Sequence, residues 1–205
     1  MIITWLGHAC FAIEEEDYRV ILDPYAPGSV PGLASLAEAA DLVLCSHGHS
    51  DHNAAEEISL RTGDVNPFTI TCLDTWHDDK EGALRGTNKI TILEANGVKV
   101  VHMGDIGCPL TEDQLAAVKG ADVLLIPIGG YYTIGPKEAD EMADAIGARI
   151  TVPMHYRSKS FGYPVIGTVD EFTRFRTHVR KAGITIDPAD YPEPVTLLMR
   201  PKYAH

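Results

Sequence analysis

Ser46-His47-Gly48-His49-Ser50-Asp51-His52 places three imidazoles and a carboxylate within six residues, directly behind the short run Asp41-Leu42-Val43-Leu44-Cys45. Histidine and aspartate are seldom buried without partners, and neither strongly favours helix or strand, so packing alone does not account for this density. Nitrogen and oxygen donors so closely spaced are what a divalent transition metal requires. If the cluster ends a strand, His47 and His49 project the same way because side chains alternate with period two, and Asp51 and His52 follow as the chain turns. Two imidazoles then serve one cation, and a carboxylate with an imidazole serves a neighbouring one. A polar loop of titrating surface histidines, the plain alternative, gives no reason for the spacing.

The elements that must position these groups can be read in order. Residues 2–6, 10–15 and 18–22 read as three short strands of an antiparallel meander, joined by Gly7-His8 and by the acidic tip Glu14-Glu15-Glu16-Asp17. After the proline- and glycine-rich loop 27–32, residues 33–40 have the composition of a short helix, and strand 41–45 delivers the histidine cluster. Residues 54–60 read as another helix, capped by Asn53 and stopped by Gly63. Strand 68–73 runs into Asp74-Thr75-Trp76-His77-Asp78-Asp79, and strands 89–95 and 98–103 flank the hairpin signal Asn96-Gly97.

From Gly104-Asp105 onward helix and strand alternate. Thr111 and Gln114 form a capping box for a helix to Lys119, with Gly120 as the stop, and strand 122–128 ends in Gly129-Gly130. Pro136 opens a helix closed by Gly147, strand 149–154 ends at His155, Thr168 caps a helix to Ala182, and 195–199 is a last strand. Strands precede helices in each half, which predicts two sheets face to face with helices outside: an α/β (α+β) four-layer αββα sandwich in a single domain spanning residues 1–205.

His47, His49, His77, Asp105, Gly129 and His155 all lie just after apolar strands, and loops beyond strand ends can converge on one rim of a rigid scaffold. Two divalent ions about 3.5–4 Å apart need several ligands each and a shared carboxylate. The inventory meets that need with His47, His49 and His77 for one ion, Asp51, His52 and His155 for the other, and Asp105 between them.

An HxHxDH run behind a strand, a later lone histidine, Gly-Asp behind another strand and a final histidine resemble the metallo-β-lactamase superfamily, whose fold is that same sandwich. More narrowly, Trp5-Leu6-Gly7-His8-Ala9, His77-Asp78-Asp79, Arg85-Gly86-Thr87-Asn88, His102-Met103-Gly104-Asp105 and Pro127-Ile128-Gly129-Gly130 are similar to the branch containing ascorbate 6-phosphate lactonase and the N-acyl phosphatidylethanolamine phospholipase D enzymes. The resemblance runs to about His155 and implies the ligand assignment above, with His77 as the third histidine. His102, three residues before Asp105, is the rival and is expected on the opposite face of its strand. The resemblance puts His8 at the rim of the site, where it would bind substrate or hydrogen-bond a ligand, and Asp23 is the expected acceptor for a ligand imidazole N–H. Tyr131, Tyr132, Tyr156 and Arg157 follow strand ends and are candidates to shape substrate binding. Trp76 is expected to pack beside the site and Cys108 to be a small buried thiol; His178 and His205 carry no expected role.

The resemblance implies a metal-dependent hydrolase acting on a small ester, phosphodiester or lactone, with Asp51, Asp105 and His8 as the catalytic candidates. Two divalent cations, zinc first and manganese or iron as alternatives, would lower the pKa of water between them. A di-iron redox protein and a metal-binding module without catalysis are the competing classes. Seventeen basic against 29 acidic residues give a formal charge of −12, which argues against a nucleic-acid partner. Cys10, Cys45, Cys72 and Cys108 are scattered without a CxxC pair, most of them in apolar runs that read as core, so neither a disulfide framework nor a thiolate zinc site is expected. No apolar run approaches bilayer length, and a cytoplasmic protein is expected. Apolar and tyrosine-bearing loops leave room for a homo-oligomer without selecting a symmetry.

Overall fold

The computed structural model describes residues 1–62 and 65–204. β1 (Ile2–Gly7), β2 (Cys10–Glu15) and β3 (Tyr18–Leu22) form the antiparallel meander expected at the start of the chain. Consecutive residues of β1 from Ile3 to Gly7 are buried, and since neighbours point to opposite faces, this strand is covered on both sides.

The next two expectations fail for one reason. Residues 33–40 are not helical: Leu33 bridges to Ala204, Ala34 donates to the Tyr203 carbonyl, and β4 (Glu38–Ala40) is extended. The Glu38 carboxylate is held by Arg19, Lys202 and Tyr203, so partners distant in sequence fix a conformation that local composition would not choose. β5 (Leu42–Leu44) then lies parallel to β3. The helix expected at 54–60 is a 3₁₀ turn, Ala55–Glu57, followed by β6 (Ile58–Leu60), which pairs with β4. Ala54 rather than Asn53 precedes that turn, without a side-chain cap, and Gly63 lies outside the described residues.

β7 (Thr69–Trp76), β8 (Thr87–Ala95) and β9 (Val98–His102) form a second meander, whose Asn96-Gly97 turn has two positive φ angles, 49° and 76°, as a tight two-residue hairpin requires. α1 (Glu112–Val118) begins at the Thr111–Gln114 capping box. β10 (Val123–Pro127), α2 (Pro136–Ile146), stopped by left-handed Gly147, and β11 (Ile150–Met154) follow. α3 (Val169–Thr173) stops well short of Ala182. The Arg176 guanidinium is drawn to Asp140, Asp144 and Thr196, and β12 (Val179–Lys181) pairs instead with β14 (Val195–Leu198); β13 (Thr185–Ile186) between them joins β1. Among the described residues no α-helix precedes Glu112.

One sheet has the order β13-β1-β2-β3-β5 and the other β12-β14-β11-β10-β9-β8-β7. These two large sheets, with β4 and β6 as a separate pair, form the expected mixed α/β architecture with fewer helices than the sequence predicts. The pairing senses make β1, β3 and β5 parallel to one another, and likewise β7, β9, β10 and β11. Their carboxyl ends therefore fall along one edge of each sheet, and Asp23, Ser46, His77, Asp105 and His155 stand on those ends. His102 on β9 donates to the Ala9 carbonyl (2.8 Å) and lies edge-on to Phe11, tying one sheet to the other.

Candidate metal centre

Asp23 ends β3 with φ +48°, a left-handed turn that aspartate tolerates better than most residues. Its buried carboxylate accepts from Ser46 N (2.7 Å), Ser46 Oγ (2.5 Å) and His52 Nδ1 (2.7 Å). Since Ser46 Oγ gives its proton to Asp23, it accepts from His47 Nδ1 at 2.9 Å. Both imidazoles therefore carry hydrogen on Nδ1, which leaves Nε2 of each aimed at the site. Burial alone would raise the Asp23 pKa, but His102 and the His52 and Ser46 contacts hold it below the carboxylate range. Burial, reinforced by the His52 charge, lowers His47 to about 3. In metal-free protein His52 moves the other way: burial opposes its charge, but Asp105 and Asp23 raise its pKa well above the ordinary value.

Asp105 Oδ2 stands 3.2 Å from His52 Nε2, 3.3 Å from His77 Nε2, 3.1 Å from His155 Nε2 and 4.0 Å from His47 Nε2. Asn88 sets this position, its amide donating to Met103 O while its Oδ1 accepts from Asp105 N. Gly104 has φ +55°, and a Cβ there would lie 2.2 Å from Asn88 Oδ1, so the turn before Asp105 has no room for a side chain. His77 is oriented from behind, Nδ1 donating to the Tyr132 carbonyl at 3.1 Å. Asp78 beside it receives backbone N–H groups from Lys80, Gly82, Leu84 and Arg85 and so shapes the loop back to β8.

His155 and His8 close the far side, both with left-handed φ near 52° and 53° and with ring centroids 4.0 Å apart. His8, expected at the rim, is instead fully buried, donating from Nε2 to Asp51 Oδ2 at 3.2 Å. Burial and then the neighbouring His155 charge lower His8 to about 4, so it is neutral there. Burial works against ionisation of Asp51, but the His8 bond and the His52 charge hold its pKa well below the ordinary value. A residue not singled out in the sequence also reaches this carboxylate: Tyr163 OH lies 2.8 Å from Ser29 O and 3.3 Å from Asp51 Oδ2. Its loop is set by Gly162 N donating to Pro31 O and by Phe161 packing against Trp5. No local sequence signal points to it.

Ligand atoms of His47, His49 and His77 lie within 4.8 Å of one another, as do those of His8, Asp51, His52 and His155. His49 is exposed, so the first group opens to solvent while the second is enclosed. Asp23 groups with His47 and His52 as well, but its bonds run through Nδ1 atoms and Ser46. The other candidates lie apart. His102 uses both ring nitrogens on backbone, Nε2 on Ala9 O and Nδ1 accepting from Gly104 N. Tyr156 is buried against Trp5 and Phe161, and Arg157 bonds the Ile166 carbonyl. Of the two loop tyrosines only Tyr132 meets His77, through its carbonyl, while the Tyr131 carbonyl accepts from Arg85; Trp76 covers Gly82, and His178 is exposed elsewhere. Cys108 is only half-buried, against Thr75 Oγ1, and Cys72 is exposed; all four cysteines are free, and Cys10 alone is fully buried. His205 lies outside the described residues.

His47 Nε2, His52 Nε2, His155 Nε2 and Asp105 Oδ1 are buried with no hydrogen-bond partner among the described residues. Buried polar atoms without partners are costly, and four of them converging from three strand ends suit a cation that accepts lone pairs. The donor set, imidazole nitrogen with carboxylate oxygen, fits zinc, manganese or iron.

A family model described as a beta-lactamase superfamily domain matches residues 2–155. A UPF0173 metal-dependent hydrolase from Methanopyrus kandleri is 30% identical over 224 residues, covering 91% of this chain and 95% of its own. A structure from Thermotoga maritima, assigned provisionally to the Zn-dependent hydrolases of the metallo-β-lactamase superfamily, superposes with TM-score 0.77 at 34% identity and 97% coverage of both chains. An isothiocyanate hydrolase from Delia radicum gut bacteria shares the fold at 14% identity and TM-score 0.67, covering 99% of this chain and 97% of its own. No helix among the described residues is long and apolar enough to cross a membrane. The chain therefore belongs to the metallo-β-lactamase superfamily and, within it, to the UPF0173 metal-dependent hydrolases.

Proposed function

We propose that the protein hydrolyses a small ester, phosphodiester or lactone at a centre of two divalent cations, zinc in the first instance, working in the cytoplasm as a single domain. His47, His49 and His77 would hold one cation, Asp51, His52 and His155 the other, and Asp105 both. The observation that carries this reading is Asp105 Oδ2 standing 3.1–3.3 Å from the Nε2 atoms of His52, His77 and His155, which come from three separate strand ends. Such a pair of cations supplies Lewis acidity toward the ester oxygen and lowers the pKa of water. The lactonase-like motifs, Trp5 to Ala9 and His77 to Asp79 among them, favour lactones and phosphodiesters as the substrate types.

The chain's own groups complete the chemistry. Asp105 Oδ1, buried and without a hydrogen-bond donor among the described residues, is the acceptor for the proton of the attacking water. The water oxygen bonds to the carbonyl carbon or phosphorus, the bond to the leaving oxygen breaks, and the proton passes from Asp105 to that oxygen. Asp51 stays ionised because His8 donates to it, so His8 acts by positioning Asp51. Metal analysis of protein prepared without chelator, with bis-p-nitrophenyl phosphate and a lactone as probes, tests the reading. Hydrolysis should vanish with chelator, return with one added cation, and be lost together with bound metal in Asp105→Ala. Unaltered metal content and turnover in that variant would overturn the assignment.

A further inference from the structure

Behind His77 lies a cavity of about 580 Å³, within the range of about 300–1,000 Å³ typical of small-molecule sites. Leu110, Leu115, Ile134 and Met142 give it an apolar lining between α1, α2 and the loop after β10. Leu110 and Leu115 are only half-buried, so apolar surface there remains open to solvent. Tyr132 stands between the cavity and the candidate metal centre: its carbonyl holds His77 Nδ1, and its ring lies 5.9 Å from that of Tyr163, whose hydroxyl faces Asp51. Tyr131, the residue before it, has φ +58°, a conformation that persists only where the surroundings impose it.

The charges around the cavity select what enters. Asp78, Asp79, Glu138 and Glu141 stand on its lining, whereas its one cation among the described residues, Arg85, donates to the Tyr131 carbonyl and lies over the Tyr132 ring at 5.7 Å. An anionic group placed there would meet net negative charge on a chain whose formal charge is already −12.

We infer that this cavity receives an uncharged, apolar tail of the ester that the centre cleaves. The substrate is then a neutral carboxylic ester or lactone with an aliphatic or aryl chain, rather than an anionic sugar phosphate or phosphodiester; this rests on the hydrolase reading above. Each methylene that enters apolar surroundings strengthens transition-state binding about fourfold.

The test pairs turnover with direct binding. p-Nitrophenyl acetate, butyrate and octanoate should show kcat/KM rising with chain length, and all should exceed bis-p-nitrophenyl phosphate. Met142→Trp, or Ala145→Trp at the cavity lip should the first variant fail to fold, should flatten that rise. Binding of 1-octanol to the protein as purified, read from the Met142 methyl resonance, should saturate in the parent and weaken at least tenfold in Ala145→Trp. A flat chain-length series, a preference for the phosphodiester, or an unperturbed methyl resonance would overturn the inference. Octanol binding with no ester cleaved would support the cavity's chemistry and overturn the hydrolytic reading instead.

Discussion

The two walls of the metal centre orient their imidazoles by different means. On one wall His47 and His52 have each Nδ1 assigned, through Ser46 to Asp23 or to Asp23 directly, so one buried carboxylate fixes two tautomers. On the other, His155 Nδ1 and His8 Nδ1 are buried without partners among the described residues, and the rings are held by a tilted contact at 4.0 Å and by left-handed backbone, with only His8 bonded, through Nε2 to Asp51. Hydrogen bonds set proton positions, whereas packing sets only direction. The first wall should therefore respond to changes of charge and the second to changes of shape.

Asp23→Asn breaks the first wall with the largest expected effect. Asparagine keeps the backbone at φ +48°, but its amide can donate to His52 Nδ1 and push that proton onto Nε2, the atom aimed at the centre. Metal affinity should fall by about 10–100-fold, as for other partners behind a ligand histidine. Competition with a chelating dye would check this, and binding equal to the parent would mean that the Asp23 carboxylate does not govern the tautomer.

Tyr163→Phe probes the second wall, with an effect expected near the lower end of that range, about tenfold. On the reading proposed above, the loss should fall on the cation that Asp51, His52 and His155 would hold and spare the one that His47, His49 and His77 would hold. Cobalt substitution followed by optical titration would separate two binding events. Equal weakening of both would show that Tyr163 only supports its loop through Ser29.

The same contrast decides what could be read from the sequence. The first wall is nearly contiguous, so the HxHxDH spacing announced it, and Asp23 at the end of an apolar strand was within reach. β8, β9, α1 and α2 were equally legible, because Asn96-Gly97, the Thr111 box, Pro136 and Gly147 are local signals that the backbone obeys. Tyr163 meets Asp51 across 112 residues, and its loop has no periodic pattern to place it. Residues 33–40 and 168–182 depart from their local helical pattern for the same reason, since Glu38 and Arg176 answer to partners far along the chain. The burial of His8 depends on its left-handed turn and on the His155 ring packed against it, neither of which composition reveals.

The smallest expected effect is a divided pH response among the imidazoles in metal-free protein, His47 and His8 on one side and His52 on the other. His47 and His8 have folded pKa values of about 3 and about 4, lowered chiefly by burial, so the unfolded chain binds more protons than the folded one below about pH 6.5. Their contribution to stability is present above that pH and drains away as pH falls toward 4. His52 runs the other way: raised by Asp105 and Asp23 against its burial, it contributes stability below about pH 6.5 that is lost as pH rises through its folded value. The two trends oppose each other in the parent, whereas His52→Gln removes the second and leaves only the acid-side loss. Thermal midpoints of chelated protein between pH 5 and 7.5 should therefore fall more steeply toward acid in His52→Gln than in the parent, by about 2–4 °C for each kcal/mol removed. Parallel curves would mean that His52 carries no proton in the metal-free centre.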